Sequence, residues 1–409
     1  MQEKIILFAS PVFFLLIACE FILAQRRQRH LYRINDAINS LSLGVMSQIS
    51  GVFLKFLSVG IYAWVYQHSA LFALSEESIW VWISGLLLYD FLYYWLHRMG
   101  HQTNLLWAAH VVHHQSEAYN LTTALRQTSS GALFGWIFYL PLALLGYPVK
   151  VFIVIALIDL LYQFWIHTQQ IDKMGWFDRV FVSPSNHRVH HGVNDLYLDK
   201  NYGGILILWD RLFGTFVEEQ DAHPVVFGTR SPLRSWNPLW ANLEVYAATA
   251  KTAWHTQYWR DKWRIWLKPP GWQPDDILRT AAAKKFDLAR AEYDPPLSKA
   301  KLYYCLIQFA LCLQIGTHFL LSAESLPLLS ALAYGFWLAA VFCILGGLME
   351  QSPAYLHLEH ARLSLSLLIP LFSDSWFGSL RLDLNLKLAI ALYCLLSLLA
   401  VWRIFEKSK

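Results

Sequence analysis

Apolar residues along this chain fall in long unbroken blocks separated by short polar clusters, without the alternating or one-sided rhythm of water-exposed strands and helices. Residues 4–24, 37–66, 79–96, 302–323, 327–348 and 386–404 each approach or exceed the roughly 20 apolar residues that a helix needs to cross a bilayer. Segments 131–146 and 149–167 are shorter and meet at Gly146-Tyr147-Pro148, a natural turn, which predicts a hairpin that dips into the bilayer and returns. The basic cluster from Gln25 to Arg33 places the loop after the first span in the cytoplasm by the positive-inside rule. Residues 361–380 are expected to cross as well, which brings Arg403, Lys407 and Lys409 to the same side. Between these blocks, residues 168–300 hold no span. Their tryptophans, Trp254, Trp259, Trp263, Trp266 and Trp272 among them, suit the headgroup level of a membrane.

Composition sharpens this into an all-α, polytopic integral membrane protein. Of 409 residues 56% are hydrophobic and 15% charged, against about 25% charged in soluble domains. The net charge of +4 is small and its basic residues sit between apolar blocks, so nucleic acid is excluded as a partner. The five cysteines all lie inside apolar stretches with no Cys-x-x-Cys pair, which removes a disulfide framework, a zinc ribbon and an iron–sulfur cluster. Gly-x-Gly-x-x-Gly, Walker, Gly-x-Ser-x-Gly and Cys-x-x-Cys-His motifs are missing too, so electrons for any redox chemistry come from a diffusible or a protein donor. The expected organisation is N-terminal spans over 1–78, a catalytic region over 79–220, a cytoplasmic or interfacial segment over 221–300 and C-terminal spans over 301–409.

The chemistry is in the histidines. Nine of sixteen form a pattern: His97 and His101 spaced by four, His110-x-x-His113-His114, the isolated His167, and His187-x-x-His190-His191. Positions i, i+3 and i+4 share a helix face, so each His-x-x-His-His is expected to aim three imidazoles at one point. His30, His68, His223, His255, His318, His357 and His360 read as ordinary polar residues. One tetrahedral metal takes four ligands, so the nine imply two metals, and neutral imidazole suits zinc, copper, iron or nickel. The clusters fall at the cytoplasmic ends of spans, where a lipid enters from the bilayer and a reductant from the cytoplasm. A dioxygen-activating iron pair accounts for ligands and placement together. A structural or hydrolytic zinc pair accounts for the ligands alone. A non-catalytic metal-binding membrane protein, such as a transporter, would place its histidines nearer span midpoints.

These motifs resemble the fatty acid hydroxylase superfamily, which includes sterol desaturases and ceramide hydroxylases. The likeness extends through Tyr94–His101, Ser116–Gln127, Tyr162–Thr168, Pro184–Gly192, Asp199–Gly204 and Trp209–Phe216, and runs closest to its ether-lipid branch. The resemblance implies two irons held by His97, His101, His110, His113, His114, His187, His190 and His191, with His167 as a ninth ligand. It implies dioxygen as co-substrate and tetrahydrobiopterin as electron source. The implied reaction hydroxylates the carbon beside the ether oxygen of O-alkylglycerols and releases a fatty aldehyde and glycerol. The membrane is a bacterial inner membrane or an endoplasmic reticulum, with the site on its cytoplasmic face. The branch carries an acidic residue after the second histidine of the first cluster, where this chain has Gln102. That departure favours the alternative, a sterol or fatty-acyl hydroxylase or desaturase fed by a protein electron donor. Gln163, Glu117, Tyr119, Asn120, Arg126 and Asp90, with Gln102, are candidates for orienting ligands or lining the substrate pocket.

Overall fold

Helices account for nearly all the regular structure. The computed structural model describes residues 2–278 and 286–406, so Lys407 and Lys409 lie outside the described residues. Two units emerge: one runs to Leu233 and includes Asn242–Glu292, the other comprises Arg234–Ala241 and the chain from Tyr293 onward. The segment 221–300 therefore contributes to both.

In the first unit, α1 (Gln2–Arg26), α2 (Ile34–Ser69) and α3 (Ile79–Gln102) are the long apolar helices. Short helices α4 (Val111–His114) and α5 (Leu121–Ala124) follow. The expected hairpin is α6 (Trp136–Leu144) and α7 (Val149–Trp165). Gly146 turns between them with φ of +87°, and a Cβ there would lie 1.8 Å from the Phe72 carbonyl oxygen, so only glycine fits. Aromatic side chains lock α2, α3, α6 and α7 together: Tyr62 stacks on Phe152 at 4.1 Å and Tyr89 on Tyr139 at 4.6 Å, among buried Val81, Leu142, Val151 and Ile155. Then come α8 (Pro184–His190), α9 (Pro238–His255), which belongs to this unit from Asn242 on, and α10 (Trp259–Leu267).

In the second unit, α11 (Lys299–Ser322), α12 (Leu328–Met349), α13 (Pro353–Phe372) and α14 (Leu384–Val401) pack in sequence. Among the described residues, six helices are long and apolar enough to cross a membrane, the stretches Ala9–Arg26, Ile34–Ser69, Ile79–Gln102, Lys299–Ser325, Leu328–Met349 and Leu384–Phe405. Residues 361–380, expected as one crossing, are not one element. α13 begins eight residues earlier and stops at Phe372, after which Ser375–Trp376 and Leu380–Arg381 form a two-stranded hairpin. The polar start of α13, with His357, Glu359, His360 and Arg362, keeps it out of the six.

Candidate metal centre

Two turns at the end of α3 present His97 and His101, four residues apart and on one face. α4 and the residue before it present His110, His113 and His114. α8 is started by Ser183, whose hydroxyl accepts from the Asn186 N–H, and by Pro184 in its first turn; it carries His187 and His190, with His191 closing it. His167 follows the end of α7.

These nine imidazoles converge as two groups whose ligand atoms lie within 4.8 Å of one another in each. One group is His97, His101, His110, His114 and His190; the other is His113, His167, His187 and His191. The expectation that each His-x-x-His-His serves one point is thus corrected. In both motifs the i and i+4 histidines join one group and the i+3 histidine joins the other. Adjacent positions on a helix diverge by about 100°, so His113 and His114, or His190 and His191, cannot face one ion. Each motif instead spans both groups.

The inward nitrogens are spaced as ligands are. In the first group His110 Nε2 lies 3.1 Å from Nε2 of both His97 and His114. In the second, Nε2 atoms of His113 and His167, His167 and His187, and His187 and His191 are 3.1, 3.0 and 3.3 Å apart. Such spacings match the polyhedron edges set by metal–nitrogen bonds of about 2.1 Å. Nε2 of His101 and of His190 is buried with no hydrogen-bond partner, an orphaning that is costly unless a ligand is bound. The residues therefore fit a metal at each group.

Outer nitrogens are held by acceptors. Nδ1–H donates from His97 to the Tyr202 carbonyl at 2.8 Å, from His190 to that of Lys200 at 3.0 Å, from His113 to that of Arg126 at 3.0 Å and from His167 to that of Gln163 at 2.7 Å. A carbonyl only accepts, so the proton sits on Nδ1 and the Nε2 lone pair points inward. His101 Nδ1 lies 3.4 Å from an Asp199 carboxylate oxygen. Burial, followed by the neighbouring imidazoles, pushes His110, His114, His187, His190 and His191 well below the usual histidine range; burial takes His113 down to about 4. All six are neutral donors at neutral pH.

The candidate supporting residues divide. Tyr119 lies against the centre, its ring 5.6 Å from that of His167 and 5.2 Å from that of His191, with its hydroxyl donating to the Ile166 carbonyl at 3.0 Å. Arg126 is fully buried and donates to the carbonyl of Val112, the residue before His113, and to Asn39 of α2, each at 2.7 Å. Gln163 accepts from the Tyr93 hydroxyl at 2.8 Å and donates to Asp159 at 2.7 Å; its contact with His167 is through its backbone. Asp90 binds the Ile205 and Leu206 N–H groups and the Trp209 ring, so it secures the loop and does not face the histidines. Asn120 caps α5 and holds the Leu31 carbonyl. Glu117 pairs with Arg290 at 3.1 Å. Gln102 is the half-buried last residue of α3.

Four contributors escape the sequence reading. Asp199 meets His101. Asp159, with one oxygen buried and unpartnered, anchors Gln163. Glu20, from the middle of an apolar block, accepts from the hydroxyls of Tyr32 and Thr168 and from the Leu121 N–H. Asp210 accepts from the Tyr202 and Gly203 N–H groups and so shapes the loop whose carbonyl orients His97. The apolar neighbours of Glu20 were the available signal for it, since a lone carboxylate in a span demands partners.

The fatty acid hydroxylase family profile matches residues 82–215, the segment that carries all nine histidines. The chain is similar to the alkylglycerol monooxygenase of Homo sapiens, 34% identical over 364 residues, or 88% of this chain and 81% of that protein. It is 37% identical to that of Xenopus tropicalis over 318 residues, 76% and 69% of the two chains. For that of Danio rerio the values are 36% over 374 residues, 89% and 82%. No solved structure matches the chain.

Proposed function

The chain belongs to the alkylglycerol monooxygenase family, and from that premise we propose that it hydroxylates the ether-adjacent carbon of O-alkylglycerols, the hemiacetal then collapsing to a fatty aldehyde and glycerol. It is an integral membrane protein and an oxygen-dependent lipid monooxygenase. The observation that supports the reading is the paired histidine groups inside the family segment, with a cavity of about 440 Å³ reaching His101, His114, His190 and His191.

Two irons would be held by His97, His101, His110, His114 and His190 on one side and by His113, His167, His187 and His191 on the other. Iron bound there supplies activation of dioxygen and removal of hydrogen from the substrate carbon. The protein's part is positional. Carbonyls of Tyr202, Lys200, Arg126 and Gln163 hold four ligand rings in one tautomer. Burial keeps His110, His113, His114, His187, His190 and His191 unprotonated, so they act as ligands and not as acids or bases. Orientation of the reacting C–H against the oxidant carries much of the rate in such chemistry. The site faces the cytoplasm in this reading, and tetrahydrobiopterin delivers the electrons from that side.

The test is turnover of an O-alkylglycerol by iron-loaded protein in detergent under oxygen, with and without tetrahydrobiopterin. Aldehyde that forms only with the pterin is expected. Aldehyde that forms only with a ferredoxin or b-type cytochrome moves the electron supply to a protein donor, the course favoured by Gln102. No aldehyde from fully loaded protein under either supply overturns the ether-cleaving reading.

A further inference from the structure

The cavity beside the first histidine group has walls of two kinds. Its floor is His101, His114, His190 and His191 with Trp107. Its roof is the inner face of α9, where Glu244, Val245, Ala248, Thr249 and Thr252 recur at helical spacing, closed by Ile265 of α10 and by Trp272. Asn104 fastens this roof to the end of α3: its side chain donates to the Ile265 carbonyl at 2.8 Å and its backbone N–H to that of Lys268 at 2.9 Å. The volume of about 440 Å³ lies within the roughly 300–1,000 Å³ of small-molecule sites.

The outer faces of the same two helices are apolar and exposed. Leu243 and Trp254 stand out from α9, and Trp259, Trp263 and Leu267, at intervals of four, from α10; Trp254 is 82% and Trp259 73% exposed. Arg260, Lys262, Arg264 and Lys268 are interleaved with them. Aromatic and basic residues so arranged are those of a helix lying in the headgroup layer of a membrane. A cavity roofed by such helices and floored by the histidines lies where the head of a lipid would rest while its chain stays among the acyl tails.

The charged lining groups other than the histidines are Glu244, Asp199 and Arg230. Arg230 is already engaged by the Val193 carbonyl at 3.0 Å and by Asp195. Asp199 lies against His101. Glu244 has no such commitment: among the described residues no hydrogen bond or cation engages it, and burial alone raises its pKa above the usual carboxylate range. A carboxylate left over in a half-apolar cavity accepts from hydroxyl groups and repels anions.

We propose that this cavity is the subsite for the polar head of the lipid, that it takes an uncharged, hydroxyl-bearing head such as a glycerol, and that Glu244 is the residue that sets this preference, a proposal resting on the ether-lipid reading above. Thr249 supplies a hydroxyl at the roof. A phosphorylated head is disfavoured by the same carboxylate.

The test is equilibrium binding of radiolabelled 1-O-hexadecylglycerol and of its 3-phosphate to full-length, metal-loaded protein in nanodiscs, under argon so that no turnover occurs. Wild type is expected to prefer the neutral lipid by about tenfold or more, the size of one charge-assisted hydrogen bond. Glu244→Gln should erase most of that preference, and Glu244→Lys should invert it. An unchanged ratio in both variants, with metal content intact, overturns the proposal. If neither variant retains metal, Thr249→Val decides: weaker binding of the neutral lipid alone supports the subsite, and wild-type binding of both lipids overturns it. The ratio is independent of catalysis. A Glu244-dependent ratio in a protein that releases no aldehyde sinks only the ether-cleaving reading, whereas aldehyde release with a Glu244-independent ratio sinks only the subsite.

Discussion

Replacing His113 with alanine removes one nitrogen from the group it shares with His167, His187 and His191, and replacing His190 removes one from the other. On the proposed two-iron reading, each variant is expected to fall from two irons per chain to about one and to lose turnover. Alanine at the exposed His68 or His357, which belong to neither group, should leave two. Elemental analysis of purified protein reads both, and a full complement in either first variant would refute the division of ligands. Glu20 makes a subtler case. Its carboxylate joins Tyr32, Leu121 and Thr168, the last adjacent to His167. Glu20→Ala strands three donors, those of Leu121 and Thr168 buried and that of Tyr32 half-buried, at about 1–3 kcal/mol each where water cannot replace the carboxylate. It should lower the melting temperature and loosen the metal held by His167, while Glu20→Gln, which still accepts, should cost much less. Equal melting of all three proteins would show that the carboxylate carries no structural load.

At the scale of elements, the long apolar helices and the turn at Gly146 were legible because length and glycine chemistry are local properties of sequence. The convergence of the nine histidines was legible from spacing, but the partition between two groups was not. It depends on how α4 and α8 approach one another, which a sequence motif does not encode. The supporting contacts were misjudged for a related reason: side chains were sought, and backbone carbonyls of Lys200, Tyr202, Arg126 and Gln163 do most of the orienting. The loop from Asn201 to Leu206, which supplies the Tyr202 carbonyl, therefore belongs to the centre. Its tolerance can be measured at Gly204, where a Cβ would lie 2.7 Å from an Asp159 oxygen, 2.8 Å from the Tyr93 ring and 2.9 Å from an Asp90 oxygen. Gly204→Ala must displace the loop or the two carboxylates, an overpacking cost of about 1–3 kcal/mol. We expect a lower melting temperature together with weaker iron retention, since the His97 acceptor moves with the loop. Iron retention equal to wild type in a destabilised variant would uncouple the loop from the metal.

At the scale of the whole molecule, the two units differ in what they hold. All nine histidines, their acceptors and the cavity belong to the first unit. The second has its own polar core: Arg362 binds Glu359 at 2.6 and 2.7 Å and Gln308 at 3.0 Å, Tyr304 donates to Glu359, and Gln308 reaches Ser397 at 3.2 Å, which ties α11, α13 and α14 together. Such a network costs desolvation to assemble but more to break, because removing one partner leaves the other charge buried. Glu359 and Arg362 are 2% and 7% exposed, so Arg362→Leu should destabilise the protein by about 3–5 kcal/mol. Replacing both at once, Glu359→Leu with Arg362→Leu, should recover part of that loss, since no charge is then stranded. In the fraction that remains folded, iron per chain should stay at two in either variant, since no ligand or ligand acceptor lies in this unit. Melting temperature and elemental analysis on one preparation separate the two effects. Loss of iron in proportion to stability would mean that the second unit supports the metal centre, and the double variant would then regain iron and stability together.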